Sequence, residues 1–190
     1  MRILLQALIL CLLLEFAAAQ GSCPAAITDP DNYNACSLNS DMTLTFANGD
    51  PISCGSELTP SEAAGQPTIK WTGAQVTNTY TIVMVDPDAP DPQGHAQRYY
   101  LHWVVAGVSA ATLKNGLVIS NDAKISYMGP SPPTGVHRYQ IFVYSSTTQN
   151  QILVKKSETA RGKFSLNDFI SANNFCNSLA ATFQFRSQAQ

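Results

Sequence analysis

Apolar and polar positions alternate along most of this chain in short β-type runs, divided by Gly, Pro and Asn turns. Met42-Thr43-Leu44-Thr45-Phe46 has a period of two and predicts a strand. Thr68-Ile69-Lys70-Trp71 predicts a second. Tyr80-Thr81-Ile82-Val83-Met84-Val85 and residues 100–106 are nearly continuous apolar runs, the pattern of buried strands. Residues 139–144 predict another strong strand, 152–154 and 182–185 shorter ones, and 116–119 either a short strand or an extended loop. Asn48-Gly49 marks a turn. Helical signals are few. Ser165 with Asp168 three residues on has the pattern of an N-terminal cap, and Leu166, Phe169 and Ile170 share a face. That helix is expected to end near Asn173-Asn174. Thr59, followed by Pro60, opens at most one helical turn before Gly65 and Pro67. The sum is one mainly β domain, an antiparallel sandwich or barrel, without internal repeats.

The first residues change this picture only at the end of the chain. Arg2 precedes an apolar stretch over 3–14, interrupted only by Gln6, and Ala17-Ala18-Ala19 supplies small residues. This predicts a signal peptide over 1–19, cleaved before Gln20. The stretch is too short for a comfortable membrane anchor and Glu15 ends it. No second long apolar run follows, so a secreted, extracellular protein without a transmembrane segment is expected. Residues 20–42 read as a loop-rich arm and 43–190 as the folded domain. Cys11 leaves with the signal, and Cys23, Cys36, Cys54 and Cys176 remain. Four cysteines in an oxidising compartment predict two disulfides, with three connectivities open, and their spacing fits no zinc site. Charged residues make up 13% and the net charge is −2, which leaves no basic field for nucleic acid.

The candidate chemistry lies where polar residues interrupt apolar strands. Asp86 and Asp88 close the Tyr80–Val85 run within Asp86-Pro87-Asp88-Ala89-Pro90, where prolines stiffen the turn. His102 sits inside an apolar run. Residues 127–139 form a Gly/Pro-built loop that feeds a strand, with His137 and Tyr139 on one face and Arg138 on the other. Two imidazoles and a phenol can coordinate a small anion, with an aspartate setting tautomer or charge. Taken singly, a strand histidine is more often a satisfied core residue, and aspartates before prolines are common turn formers. Asp86, His102 and His137 also look superficially like a two-His, one-carboxylate metal set, or a relay serving Ser131. Ser131 lies in a proline loop without a nucleophile elbow, so no enzyme is expected.

Asp86-Pro87-Asp88-Ala89-Pro90, then Arg98-Tyr99-Tyr100-Leu101-His102-Trp103, then Gly129-Pro130-Ser131-Pro132-Pro133-Thr134-Gly135-Val136-His137-Arg138-Tyr139 resemble the signature blocks of the phosphatidylethanolamine-binding protein family, in its order and spacing. Leu58-Thr59-Pro60-Ser61 and Arg161-Gly162-Lys163-Phe164 add to the likeness, which runs from about residue 43 to 185. The resemblance implies an antiparallel β-sandwich with a short C-terminal helix. It implies an anion pocket built by Asp86, His102, His137 and Tyr139, with Asp88 and Pro90 in the wall and Gly129 and Pro132 in the loop closing one side. It also implies a cis bond at Ala89-Pro90 and a phosphate-bearing small molecule or phospholipid headgroup as ligand; no cofactor or metal is expected. Many relatives carry Glu where this chain has Tyr99. His95 is outside the pattern and reads as surface, and the arm with Cys23 and Cys36 has no counterpart there. The expected function is a secreted, monomeric binding protein that modulates a partner. The alternative is an extracellular serine protease inhibitor or signalling regulator, acting on a protease or receptor through protein contacts.

Overall fold

The computed structural model describes residues 27–38, 41–47, 49–119, 123–147 and 152–189. The expected signal peptide and Cys23 lie outside the described residues, as does Asn48 of the predicted turn. Among the described residues there are eight strands: β1 (Met42–Thr45), β2 (Glu57–Leu58), β3 (Thr68–Trp71), β4 (Thr79–Asp86), β5 (Tyr100–Ser109), β6 (Ala123–Ile125), β7 (Val136–Ser146) and β8 (Leu179–Gln188). Among the described residues two helices accompany them, α1 (Ala110–Asn115) and α2 (Leu166–Ala172). A six-stranded sheet has the order β2-β8-β7-β4-β5-β6, and β1 and β3 form a two-stranded sheet. All pairings are antiparallel except β2 with β8.

The continuous apolar runs are explained by burial on both faces of the large sheet. Ile82, Met84, Trp103, Val105, Tyr139, Ile141 and Val143 point into the core shared with β1 and β3. Val83, Val85, Leu101, Val104, Phe142 and Tyr144 point the other way, onto α2 and its flanking Phe164 and Phe175. A central strand with both faces covered shows no polar alternation, because no face meets water. On β5 the register shifts between Val104 and Val105, which breaks the strict period of two.

Helix α2 begins as its sequence predicts, with the Ser165 hydroxyl accepting from the Asp168 N–H at 3.1 Å. The predicted turn at Thr59 also has its cap: Thr59 Oγ1 accepts from the Glu62 N–H, and the Glu62 carboxylate accepts from the Thr59 N–H at 2.7 Å. Of the short segments, 116–119 takes the loop reading and 152–154 is not a strand. Gly116 is the C-terminal cap of α1, at φ 61°, a conformation suited to glycine, and 117–119 continue irregularly. At 152–154, Asn173 holds the Leu153 backbone through both its side-chain atoms instead.

Cys36 and Cys54 form a disulfide, and Cys176 is disulfide-bonded. The described part of the arm packs on the body. Tyr33 stacks on Phe142, its carbonyl accepts from Gln140, and Asp31 meets Arg98 and Arg138.

Candidate functional site

At one end of the large sheet, β4, β5 and β7 open around a cleft of about 320 Å³. Its lining includes Asp86, Pro90, Gln97, Tyr100, His102, Gly129, Ser131, Pro133, His137 and Tyr139. Three separate stretches meet here because β4 is hydrogen-bonded to β5 on one side and to β7 on the other. Asp86 ends β4, and the chain turns away through Ala89-Pro90, whose peptide bond is cis.

Asp86 and His137 are both buried and form an ion pair, with His137 Nδ1 at 2.7 Å from Asp86 Oδ2. The other imidazole nitrogen donates to the Thr134 carbonyl at 3.1 Å. Both nitrogens face acceptors, so both carry hydrogen and the ring is an imidazolium. Burial alone would lower the His137 pKa. The Asp86 hydrogen bond and charge, the Thr134 carbonyl and the Asp88 charge outweigh it, and the pKa is raised. Asp86 Oδ1 accepts from the Asp88 N–H at 2.7 Å, which locks the carboxylate to its own turn.

His102 is the opposite case. Its Nδ1–H donates to the Met128 carbonyl at 2.8 Å, and the Met128 N–H returns a bond to the His102 carbonyl. Burial dominates and lowers its pKa, against the Met128 hydrogen bond and the Asp86 charge. The ring is therefore neutral, with the lone pair on Nε2. It sits between Tyr100 and Tyr139, with centroids 5.3 and 5.1 Å away. Tyr139 stacks in turn on Phe185, and burial pushes its phenol pKa up, so it stays protonated. One floor thus carries a neutral ion pair, a neutral imidazole and an aromatic wall.

Asp88 and Pro132 fall beside the cleft rather than in its lining. Asp88 turns its carboxylate away and binds Arg138 in a fork, with Nε at 2.8 Å and Nη2 at 2.6 Å, and also takes the Arg138 N–H. It supports the turn from behind. Pro132 lies within the loop, while its neighbours Ser131 and Pro133 face the cleft. Gly129 is demanded by close approach: a Cβ there would stand 2.9 Å from the Ala63 carbonyl oxygen and from Ala64 Cα. Tyr99 packs with the α2-side core, and burial pushes its phenol up to about 12. His95 accepts from Arg98 at the rim.

Two residues quoted above only as part of the likeness have supporting roles that the sequence does not show. Arg161 is 4% exposed and donates to the carbonyls of Leu101, His102, Ser126 and Glu158, and to the Glu158 carboxylate. Arg98 donates to the Pro87 carbonyl and to Asp31. An arginine in a predicted loop carries no signal of burial; a Gly-Lys following it is no guide.

The set does not converge on a metal or a nucleophile. Both nitrogens of His137 are committed to oxygen acceptors, and His102 Nδ1 is committed to Met128. Among the described residues, no hydrogen bond joins the Ser131 hydroxyl to either histidine.

A family model described as phosphatidylethanolamine-binding protein matches residues 42–184. A 26 kDa secreted antigen of Toxocara canis is 35% identical over 78% of this chain, and this chain spans only 56% of that protein. Protein FLOWERING LOCUS T of Arabidopsis thaliana is 31% identical over 77% of this chain and 80% of its own length. The phosphatidylethanolamine-binding protein from Plasmodium vivax has a similar structure, with a TM-score of 0.67 at 22% identity over 88% of this chain and 92% of that one. The chain belongs to the phosphatidylethanolamine-binding protein family.

Proposed function

We propose that this chain is a secreted, non-catalytic binding protein whose cleft takes a phosphate monoester headgroup, with phosphorylethanolamine as the simplest example. One observation carries the reading. The buried floor holds an internally balanced Asp86–His137 pair beside a neutral His102, whose Nε2 is left to meet a ligand. A monoester that keeps one P–OH can donate to that lone pair. A dianionic phosphate instead draws a proton onto His102 and forms a charge-assisted bond. The protonated Tyr139 and the aromatic wall exclude water around it. A cleft of about 320 Å³ suits a headgroup rather than two acyl chains. The absence of an activated nucleophile among these groups supports binding without turnover. The hydrophobic leader pattern supports secretion, as does the name of the Toxocara relative.

Titration of phosphorylethanolamine into the protein, followed by imidazole NMR resonances, tests the assignment. His102 resonances should move and saturate in the millimolar range or below, and His102→Ala should abolish the response. Unmoved resonances at millimolar ligand, or equal binding by His102→Ala, would sink the reading.

A further inference from the structure

Three lysines gather on the surface between the 153–156 segment and α2. Lys155, Lys156 and Lys163 line a shallow depression of about 110 Å³, whose floor includes Phe164 and Phe169. Only one acid, Asp168, shares it. Among the described residues, no ion pair neutralises any of the three lysines. Nearby Glu158 is already held by Arg161 and the Ser126 N–H. This is a local excess of two positive charges on a chain whose net charge is −2. Leu153, 57% exposed, stands at the edge of the same depression, and Asn173 fixes its backbone so that the side chain is presented outward.

The patch is tied to the cleft. The Lys163 N–H donates to the carbonyl of Gln97, a cleft-lining residue, at 3.0 Å. Lys163 adopts φ 55°, a left-handed conformation that a non-glycine residue holds only when its surroundings impose it. The next residue, Phe164, pairs through both backbone atoms with Tyr99. The lysine is thus held one step from the cleft wall.

We propose that Lys155, Lys156, Lys163 and Leu153 form a docking face for an anionic lipid bilayer, placed beside the headgroup cleft. Charge complementarity selects an anionic surface. The exposed leucine among the lysines selects a bilayer, where an apolar side chain gains by entering the interface and ammonium groups remain at the phosphates. The choice of a bilayer rests on the headgroup reading above, whereas the charge argument does not.

Cosedimentation of the full chain with phosphatidylcholine vesicles, with and without phosphatidylserine, provides the test. Binding should require phosphatidylserine and weaken steeply with added salt. Lys155→Gln, Lys156→Gln and Lys163→Gln together should reduce partitioning roughly a hundredfold, from about a fivefold contribution per lysine. Phosphorylethanolamine affinity should not change in that variant. No binding to phosphatidylserine vesicles would overturn the proposal, as would undiminished binding by the triple variant or equal binding to neutral vesicles. Retention on heparin without vesicle binding would also overturn it and would make the partner a soluble polyanion. Because the cleft is titrated separately with soluble phosphorylethanolamine, failure of the docking face and failure of the cleft assignment are told apart.

Discussion

Replacing Arg161 by Met isolates the contribution of one buried cation. The guanidinium sits 4% exposed and joins β5 to the segment carrying Ser126 and to the turn at Glu158. Methionine fills much of the volume and donates nothing. The His102 carbonyl keeps a second donor, the Met128 N–H, and half-exposed Glu158 can turn to water. The buried Leu101 carbonyl loses a donor at 3.2 Å, while the Ser126 carbonyl, on an exposed residue, can turn to water. One buried acceptor left short costs about 1–3 kcal/mol. For a domain of this size that is a fall in Tm of about 5 °C, at about 2–4 °C per kcal/mol. Differential scanning calorimetry and urea unfolding measure it directly. Phosphorylethanolamine affinity, measured well below Tm, should fall as well, because His102 is no longer held from behind. Arg161→Lys should recover little, since one ammonium cannot reach carbonyls on three segments. A Tm for Arg161→Met within about 1 °C of the parent would refute the accounting, because a starved buried acceptor cannot cost so little.

Three further outcomes are expected. Asp86→Asn should destabilise the fold in a pH-dependent way: the raised His137 pKa contributes stability fully below the unfolded value of about 6.5 and loses it as pH rises through the folded value, so the gap to the parent should reach about 1.5–3 kcal/mol at low pH and narrow in alkali, and a gap that ignores pH contradicts the pairing. Replacing Cys36 and Cys54 by Ala opens a loop with a sequence separation of 18 and should cost about 3 kcal/mol in denaturant unfolding, with an unchanged midpoint as the adverse result. Gly129→Ala drives a Cβ against the backbone at 63–64 and should displace the loop, cutting phosphorylethanolamine affinity at least tenfold; parental affinity by calorimetry would show that the loop yields freely.

Much of the sheet was legible because β4, β5 and β7 carry long apolar runs whose type does not depend on context. The α2 cap was legible because Ser165 and Asp168 act across three residues. Helix α1 was missed: Ser109 caps it and Gly116 ends it, but its six residues hold too little periodicity to outweigh the apolar Leu117-Val118-Ile119 that follows. Segment 152–154 looked like a strand because Ile, Leu and Val fit any half-buried extended chain, and only the distant Asn173 decides otherwise. In the site, His102, His137 and Asp86 stood out as polar breaks in apolar strands. The role of Asp88 did not, since its partner Arg138 lies 50 residues away and nothing local distinguishes a cleft-facing carboxylate from one turned behind.

His137 and Arg138 are neighbours on one strand and face opposite ways, and each meets its own aspartate from the same short turn. The two pairs therefore work as a keyed joint between β4 and β7. If β7 slipped by a single residue, the guanidinium would swing to the cleft floor and the imidazole to the back. The floor would then carry a permanent cation in place of one that can release its proton, and Asp88 would lose its fork. An insertion or deletion of one residue within 130–135 should thus be far more damaging than its position in a loop suggests, because it exchanges the charges of two faces at once.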